Sequence, residues 1–86
     1  MLRELRLRKK VVGVKQTRRA LGSGMASQVL LAADADPTLT GSIRRQCEER
    51  AVPVSCRYTM RELGQAVGIQ VDAAVVTLLK EAESPM

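Results

Sequence analysis

The sequence predicts an α/β domain with a mixed sheet between helical layers, and three observations point there. Segments with helical spacing alternate with short strand-like runs, four of each, closely connected. The run Val29-Leu30-Leu31-Ala32-Ala33 is apolar without a break, as in a strand covered on both faces. With 86 residues, 45% of them apolar, the chain is long enough for one core and too short for a second domain. The expectation is a single domain over 1–86, with its core at about 10–80 and a polar tail over 81–86.

Each element has a local reason. Residues 1–10 place Leu2 and Leu5 on one side, with Arg3, Arg6, Arg8 and Lys10 largely elsewhere, which predicts a short amphipathic helix. Val11-Val12-Gly13 reads as a brief strand. A helix follows from about Lys15 to Leu21 and stops at Gly22-Ser23-Gly24, a strong C-terminal signal. The strand over 29–33 leads into the loop Asp34-Ala35-Asp36-Pro37. There Asp36 suits an N-cap and Pro37 a first helical residue, because proline has no N–H to leave unpaired.

Leu39, Ile43 and Cys47 recur every four residues, predicting a helix with one buried stripe through about Arg50. Val52-Pro53-Val54-Ser55-Cys56 reads as a strand whose proline puts its start near an edge. Thr59 with Glu62 forms a capping box for a helix over 60–66. A loop over 68–72 and a strand over 74–79 complete the chain.

Charge is unevenly placed. Residues 1–19 hold eight Lys/Arg and one acid, a net of +7, while residues 20–86 hold six Lys/Arg and eight acids, a net of −2. A localised basic segment is the footprint of a protein that docks on a polyanion, although a solvated terminal helix gives the same count. The absences narrow the function. Without histidine, the usual proton shuttle and the commonest metal ligand are missing. Neither a nucleophile motif nor a phosphate-cradling glycine loop is present, so no enzyme activity, catalytic residue, metal or cofactor is expected.

Tyr58 is the only aromatic residue, which counts against base-stacking single-strand modules and favours a folded or duplex RNA. The longest apolar run, over 73–79, is too short to cross a bilayer, and Arg3, Arg6 and Arg8 interrupt any signal-peptide core. Cys47 and Cys56 lie in segments that read as core, without metal-ligand spacing. Buried, reduced cysteines and a cytoplasmic location are expected.

On the helix that starts near Lys15, Lys15, Gln16 and Arg19 fall within an arc of roughly 100°, with Arg18 beside them. Val14, Thr17 and Leu21 fall on the other side. One face suits the sheet; the other presents cations and an amide that suit guanine O6 and N7 or another base edge. The helix N-terminus adds unpaired N–H groups favourable to phosphate.

The strings GVKQTRRAL, LLAADADP (its Asp36 twenty-one residues beyond Lys15) and ELGQAVGI occur in this order. Together they resemble the kink-turn-binding ribosomal protein family, and within it the short bacterial members. The resemblance covers about residues 10–80. It implies a three-layer α/β/α sandwich with a four-stranded mixed sheet. It also implies binding to a kink-turn: a duplex with a three-nucleotide bulge beside tandem sheared G·A pairs, whose sharp bend opens the major groove to a helix.

Carried onto this chain, the first motif places Lys15, Gln16 and Arg19 at the G·A step; Gly13, with Val14 beside it, lets the backbone come close to the RNA, and Arg18 supplies phosphate attraction. In the second, Asp36 touches a bulged nucleotide, a role compatible with its use as an N-cap. In the third, Ile69, Gln70 and Val71 form an apolar loop over the flipped base, with ordinary core as the alternative for Ile69. Lys9 and Lys10 add phosphate attraction. Archaeal and eukaryotic relatives carry Asn-Glu where Lys15 and Gln16 stand, a Lys where Met60 stands and often Arg where Val71 stands; the bacterial branch shares the Lys-Gln pair. The expected partner is a structured RNA with a kink-turn, with no membrane, no small-molecule substrate and a monomeric protein. The rivals are a protein-interaction module on the same fold and a general nucleic-acid binder.

Overall fold

Alternation along two central strands accounts for the layers of the fold, seen in a computed structural model that describes residues 9–69 and 71–80. β1 spans Lys10–Val12 and α1 Val14–Gly22. β2 spans Ala26–Leu31 and α2 Pro37–Glu49. β3 spans Val54–Ser55, α3 Met60–Ala66 and β4 Val75–Leu79. β2 and β4 pair antiparallel, with Val29 opposite Thr77 and Leu31 opposite Val75.

Successive side chains of a strand point to opposite faces, so Val29, Leu31, Val75 and Thr77 turn one way and Leu30, Val76 and Leu78 the other. All seven are buried. Ala20 and Leu21 of α1, with Ile43 and Cys47 of α2, pack on the first set. Leu63 and Ala66 of α3 pack on the second. β1 joins β4 antiparallel at one edge and β3 joins β2 in parallel at the other, in the order β1-β4-β2-β3. The result is a three-layer α/β/α sandwich around a four-stranded mixed sheet.

One polar pair crosses the core. The Thr77 hydroxyl donates to Thr17 Oγ1 at 2.7 Å, and neither residue is exposed to solvent. A buried hydroxyl costs free energy unless it is paired, so this bond ties the flank of α1 to β4 in one register. The three described helices end alike. Past each cap, two successive N–H groups return to the last turn. Gly24 and Met25 bond the carbonyls of Leu21 and Ala20, Ala51 and Val52 those of Glu48 and Cys47, and Gly68 and Ile69 those of Gln65 and Gly64. This is the Schellman arrangement, which needs a left-handed residue just after the cap. Gly24 and Gly68 supply it freely at φ +75° and +80°, whereas Ala51 adopts it at φ +55°.

The boundaries depart from the sequence reading where pairing overrides hydrophobic pattern. β2 begins at Ala26, three residues early, because its pairing with β4 continues through a register shift between Ala26 and Gln28. Ser27 and Gln28 are polar, so apolarity gave no signal there. β2 ends at Leu31 because the N–H groups of Ala32 and Ala33 turn to the carbonyls of Ala74 and Tyr58. β3 has two residues rather than five: Pro53 has no N–H, and that of Val52 is taken by the end of α2.

The helix expected over 1–10, Gln70 and the tail 81–86 lie outside the described residues, except that Lys10 belongs to β1 and not to a helix. Leu39 is only half-buried, so the stripe on α2 is Ile43 and Cys47. Both cysteines are free, but Cys56 is exposed and not core, because β3 ends before it. No described helix is long and apolar enough to cross a membrane.

Candidate nucleic-acid interface

The three described helices begin at the same end of the sheet. β2 runs toward that end and delivers α2, while β4 starts there. Backbone bonds stitch the segments together: Gly13 N–H to the Val75 carbonyl at 3.0 Å, Ala32 N–H to Ala74 at 2.9 Å, Ala33 N–H to Tyr58 at 2.8 Å and Ala73 N–H to Met60 at 3.0 Å. The start of α1, the β2–α2 loop, the start of α3 and the loop before β4 thus form one surface. Far apart in sequence, the three motifs meet there. The C-terminal ends of α1 and α2 meet at the other end, around a depression lined by Gly24, Arg50 and Lys80 among others.

The start of α1 is open. Its N-cap, Gly13, has φ 111° and ψ 161° and supplies no side-chain cap, and the first turn holds no acid. That backbone region is essentially glycine's alone. A Cβ at Gly13 would meet nothing within 4 Å, so conformation and not crowding demands glycine here. The first N–H groups of a helix lack intrahelical partners and carry partial positive charge. Lys15, Gln16 and Arg19 are exposed beside them, while Thr17 and Leu21 are buried. Val14 packs at the edge of the α1/α2 core. Arg18 is also exposed, but its Nη2 donates to Ser42 Oγ of α2 at 3.1 Å, so it reaches sideways across the helix pair.

The other two starts are closed by carboxylates and hydroxyls. At α2, Asp36 accepts from Thr38 N–H at 2.9 Å, and Pro37 has no N–H to satisfy. At α3, Thr59 Oγ1 accepts from Glu62 N–H at 3.1 Å and Glu62 Oε1 from Thr59 N–H at 2.9 Å. Asp34 adds a third bond, its Oδ1 accepting from Met60 N–H at 2.8 Å. Asp36 is therefore an N-cap, with its carboxylate exposed at the shared surface.

The loop after α3 splits the apolar pair read from the sequence. Val71 is 68% exposed. Ile69 is half-buried and packs on the α3-side core. Gly64, a residue the sequence reading passed over, decides where this loop lies. A Cβ at Gly64 would run into the backbone carbonyl of Val71, so glycine is what lets the loop rest against α3. A glycine inside a helix is the visible clue to such a close approach. Lys9 is exposed, and Lys10 is half-buried in β1 opposite Leu78.

Among the described residues no three His, Cys, Asp or Glu lie close enough to share a metal ion. Burial raises the Cys47 thiol above its ordinary range, with the charge of Arg44 opposing the shift. The guanidinium of Arg44 donates to Cys56 Sγ at 2.8 Å, joining α2 to the segment after β3.

The ribosomal protein L7Ae/L30e/S12e/Gadd45 family matches the chain over residues 2–86. The chain belongs to this family. Among its relatives is an RNA-binding protein of Geobacillus sp. (strain WCH70), 44% identical over 72 residues that make up 84% of this chain and 88% of that one. The RNA-binding protein YbxF of Geobacillus stearothermophilus is 43% identical over 70 residues, 81% of this chain and 85% of the relative. Among solved structures, the 15.5kD RNA binding protein of Giardia lamblia superposes with a TM-score of 0.83 at 26% identity, covering 93% of this chain and 68% of that one. The open helix start, the capped Asp36 loop and the glycine-seated apolar loop are thus features of an L7Ae-family fold in a short chain.

Proposed function

We propose that this L7Ae-family protein binds RNA, and that its target is a kink-turn read by shape. The observation that carries the reading is the open start of α1, where uncapped N–H groups, Lys15, Gln16 and Arg19 share one exposed surface with Asp36 and Val71. Lys15, Gln16 and Arg19 enter the major groove at the sheared G·A pairs, and Gly13 with Val14 brings the helix start close to the RNA backbone. Val71, with Ile69 behind it and Gln70 between them, covers the flipped base, and Asp36 borders it. Arg18, Lys9 and Lys10 add attraction for phosphate. Met60 and Val71 stand where many relatives carry cations, so the bulge is held by apolar contact more than by charge. The activity is binding without catalysis, by a monomer in the cytoplasm.

A titration at fixed physiological salt tests this, comparing a generic kink-turn with a control whose sheared G·A pairs are replaced by Watson–Crick pairs. A preference of about tenfold or more, equivalent to about 1.4 kcal/mol, supports shape reading. Equal binding to both reduces the surface to a general nucleic-acid contact. No binding to either turns the fold into a protein-interaction module.

A further inference from the structure

The cations of α1 do not stand alone on the outer face of the helical layer. Arg45 of α2 is exposed and lies two residues after buried Ile43 and two before buried Cys47. At about 100° per residue its side chain points roughly away from the core-facing stripe. Lys15 and Arg19 bear the same relation to buried Thr17, two residues before and two after it. α1 and α2 cover the same face of the sheet, start at the same end, and touch where Arg18 donates to Ser42. Lys15, Arg18, Arg19 and Arg45 therefore span two adjacent helices as one exposed surface.

Little opposes these charges. Among the described residues, Lys15, Arg19 and Arg45 make no ion pair with a carboxylate. Of the acids at the shared end of the molecule, Asp34, Asp36 and Glu62 are each engaged by a backbone N–H group, and Asp72 lies on the α3 side of the sheet, in the loop before β4. Glu48 and Glu49 follow Arg45 by three and four residues in the last turn of α2, and neither forms an ion pair with it. Between the cations the outer face of α2 carries no large side chain. Gly41 is exposed, and a Cβ there would meet nothing within 4 Å, so a nucleic-acid backbone has room to approach.

We propose that an RNA strand leaving the groove at the start of α1 continues across the α1–α2 seam, with Arg18 and Arg45 against its phosphates. The inference deepens the kink-turn reading and rests on it: it adds α2 to the interface and assigns it the stem that flanks the G·A pairs. Contacts of this kind position an RNA without reading its sequence, and their signature is counterion release.

The test measures affinity against salt for the intact chain and for Arg45→Gln on two kink-turn RNAs. One is trimmed just past the G·A pairs; the other has that stem extended by a helical turn. The intact chain is expected to show the steeper salt dependence on the extended RNA. Arg45→Gln is expected to reduce that slope by about 0.7–1 while leaving the trimmed RNA unaffected. Arg50→Gln, at the far end of α2, controls for net charge and is expected to leave both slopes alone. An Arg45→Gln slope unchanged on both RNAs, or lowered equally on both, overturns the proposal, and so does an equal effect from Arg50→Gln. Should Lys15→Ala weaken kink-turn binding while Arg45→Gln does nothing, only the extended footprint falls. Should the intact chain not prefer a kink-turn over the Watson–Crick control, the reading beneath it falls as well.

Discussion

The start of α1 and the starts of α2 and α3 face the same end of the molecule, yet they are finished in opposite ways. α2 and α3 are closed by their own side chains, Asp36 at one and Thr59, Glu62 and Asp34 at the other. α1 begins at a glycine with no side-chain cap and no acid in its first turn. A capped helix end has met its own need for an acceptor and a negative charge; an uncapped one presents that need to whatever approaches. Two of the three ends are therefore closed by the fold, and the third keeps its first N–H groups without a side-chain cap. α1 is held at its flank instead, by the Thr17–Thr77 hydroxyl pair and by Leu21 in the core.

This contrast can be broken most forcefully from below. Thr77→Val removes the donor and leaves the Thr17 hydroxyl buried without a partner, so it is expected to destabilise the chain by about 1–3 kcal/mol in a denaturant titration. The double change with Thr17→Val is expected to recover much of that loss. If Thr77→Val alone is neutral, α1 is not anchored at its flank.

Lys15→Ala sharpens the comparison from the open side. It is expected to cost about 1–3 kcal/mol of RNA binding while leaving the melting temperature within error, since the side chain is exposed and makes no ion pair among the described residues. Thr59→Ala is its mirror image. It removes a cap and is expected to lower stability by about 1 kcal/mol with kink-turn affinity unchanged. A binding loss from Thr59→Ala as large as that from Lys15→Ala would erase the distinction between closed and open ends.

The smallest effect is at the opposite ends of the helices, which are finished alike and differ only in residue. Ala51 holds the left-handed position that glycine holds at 24 and 68. Ala51→Gly is expected to raise stability by up to about 1 kcal/mol, measured as a shift in denaturant midpoint without a change in slope. A loss would mean that the extra freedom of glycine in the unfolded chain outweighs the strain relieved.

Much of this was legible because it depends on neighbours in sequence. The N-cap at Asp36 and the capping box of Thr59 and Glu62 stand where the spacing placed them, because caps join residues two or three positions apart. The face of α1 was readable from helical spacing alone, with Lys15, Gln16 and Arg19 outside and Thr17 and Leu21 inside. What escaped was non-local. Asp34 reads as one more loop acid, but its partner is the N–H of Met60, twenty-six residues on. Gly64 passes as one more residue of the helix over 60–66 until the Val71 carbonyl is seen against it. Cys56 reads as core until β3 ends one residue before it.

By itself, then, the sequence determined the alternation of elements, both sealed helix starts, and the basic, glycine-led helix whose start is not sealed. These are local properties, set by the chemistry of residues within one turn of one another. Only the tertiary structure decided that the open start, the Asp36 loop and Val71 share one end of the sheet, and that α2 sets Ser42 against Arg18 of α1. Those relations come from strand order and layer packing, which join residues through the core, where no spacing along the chain records them.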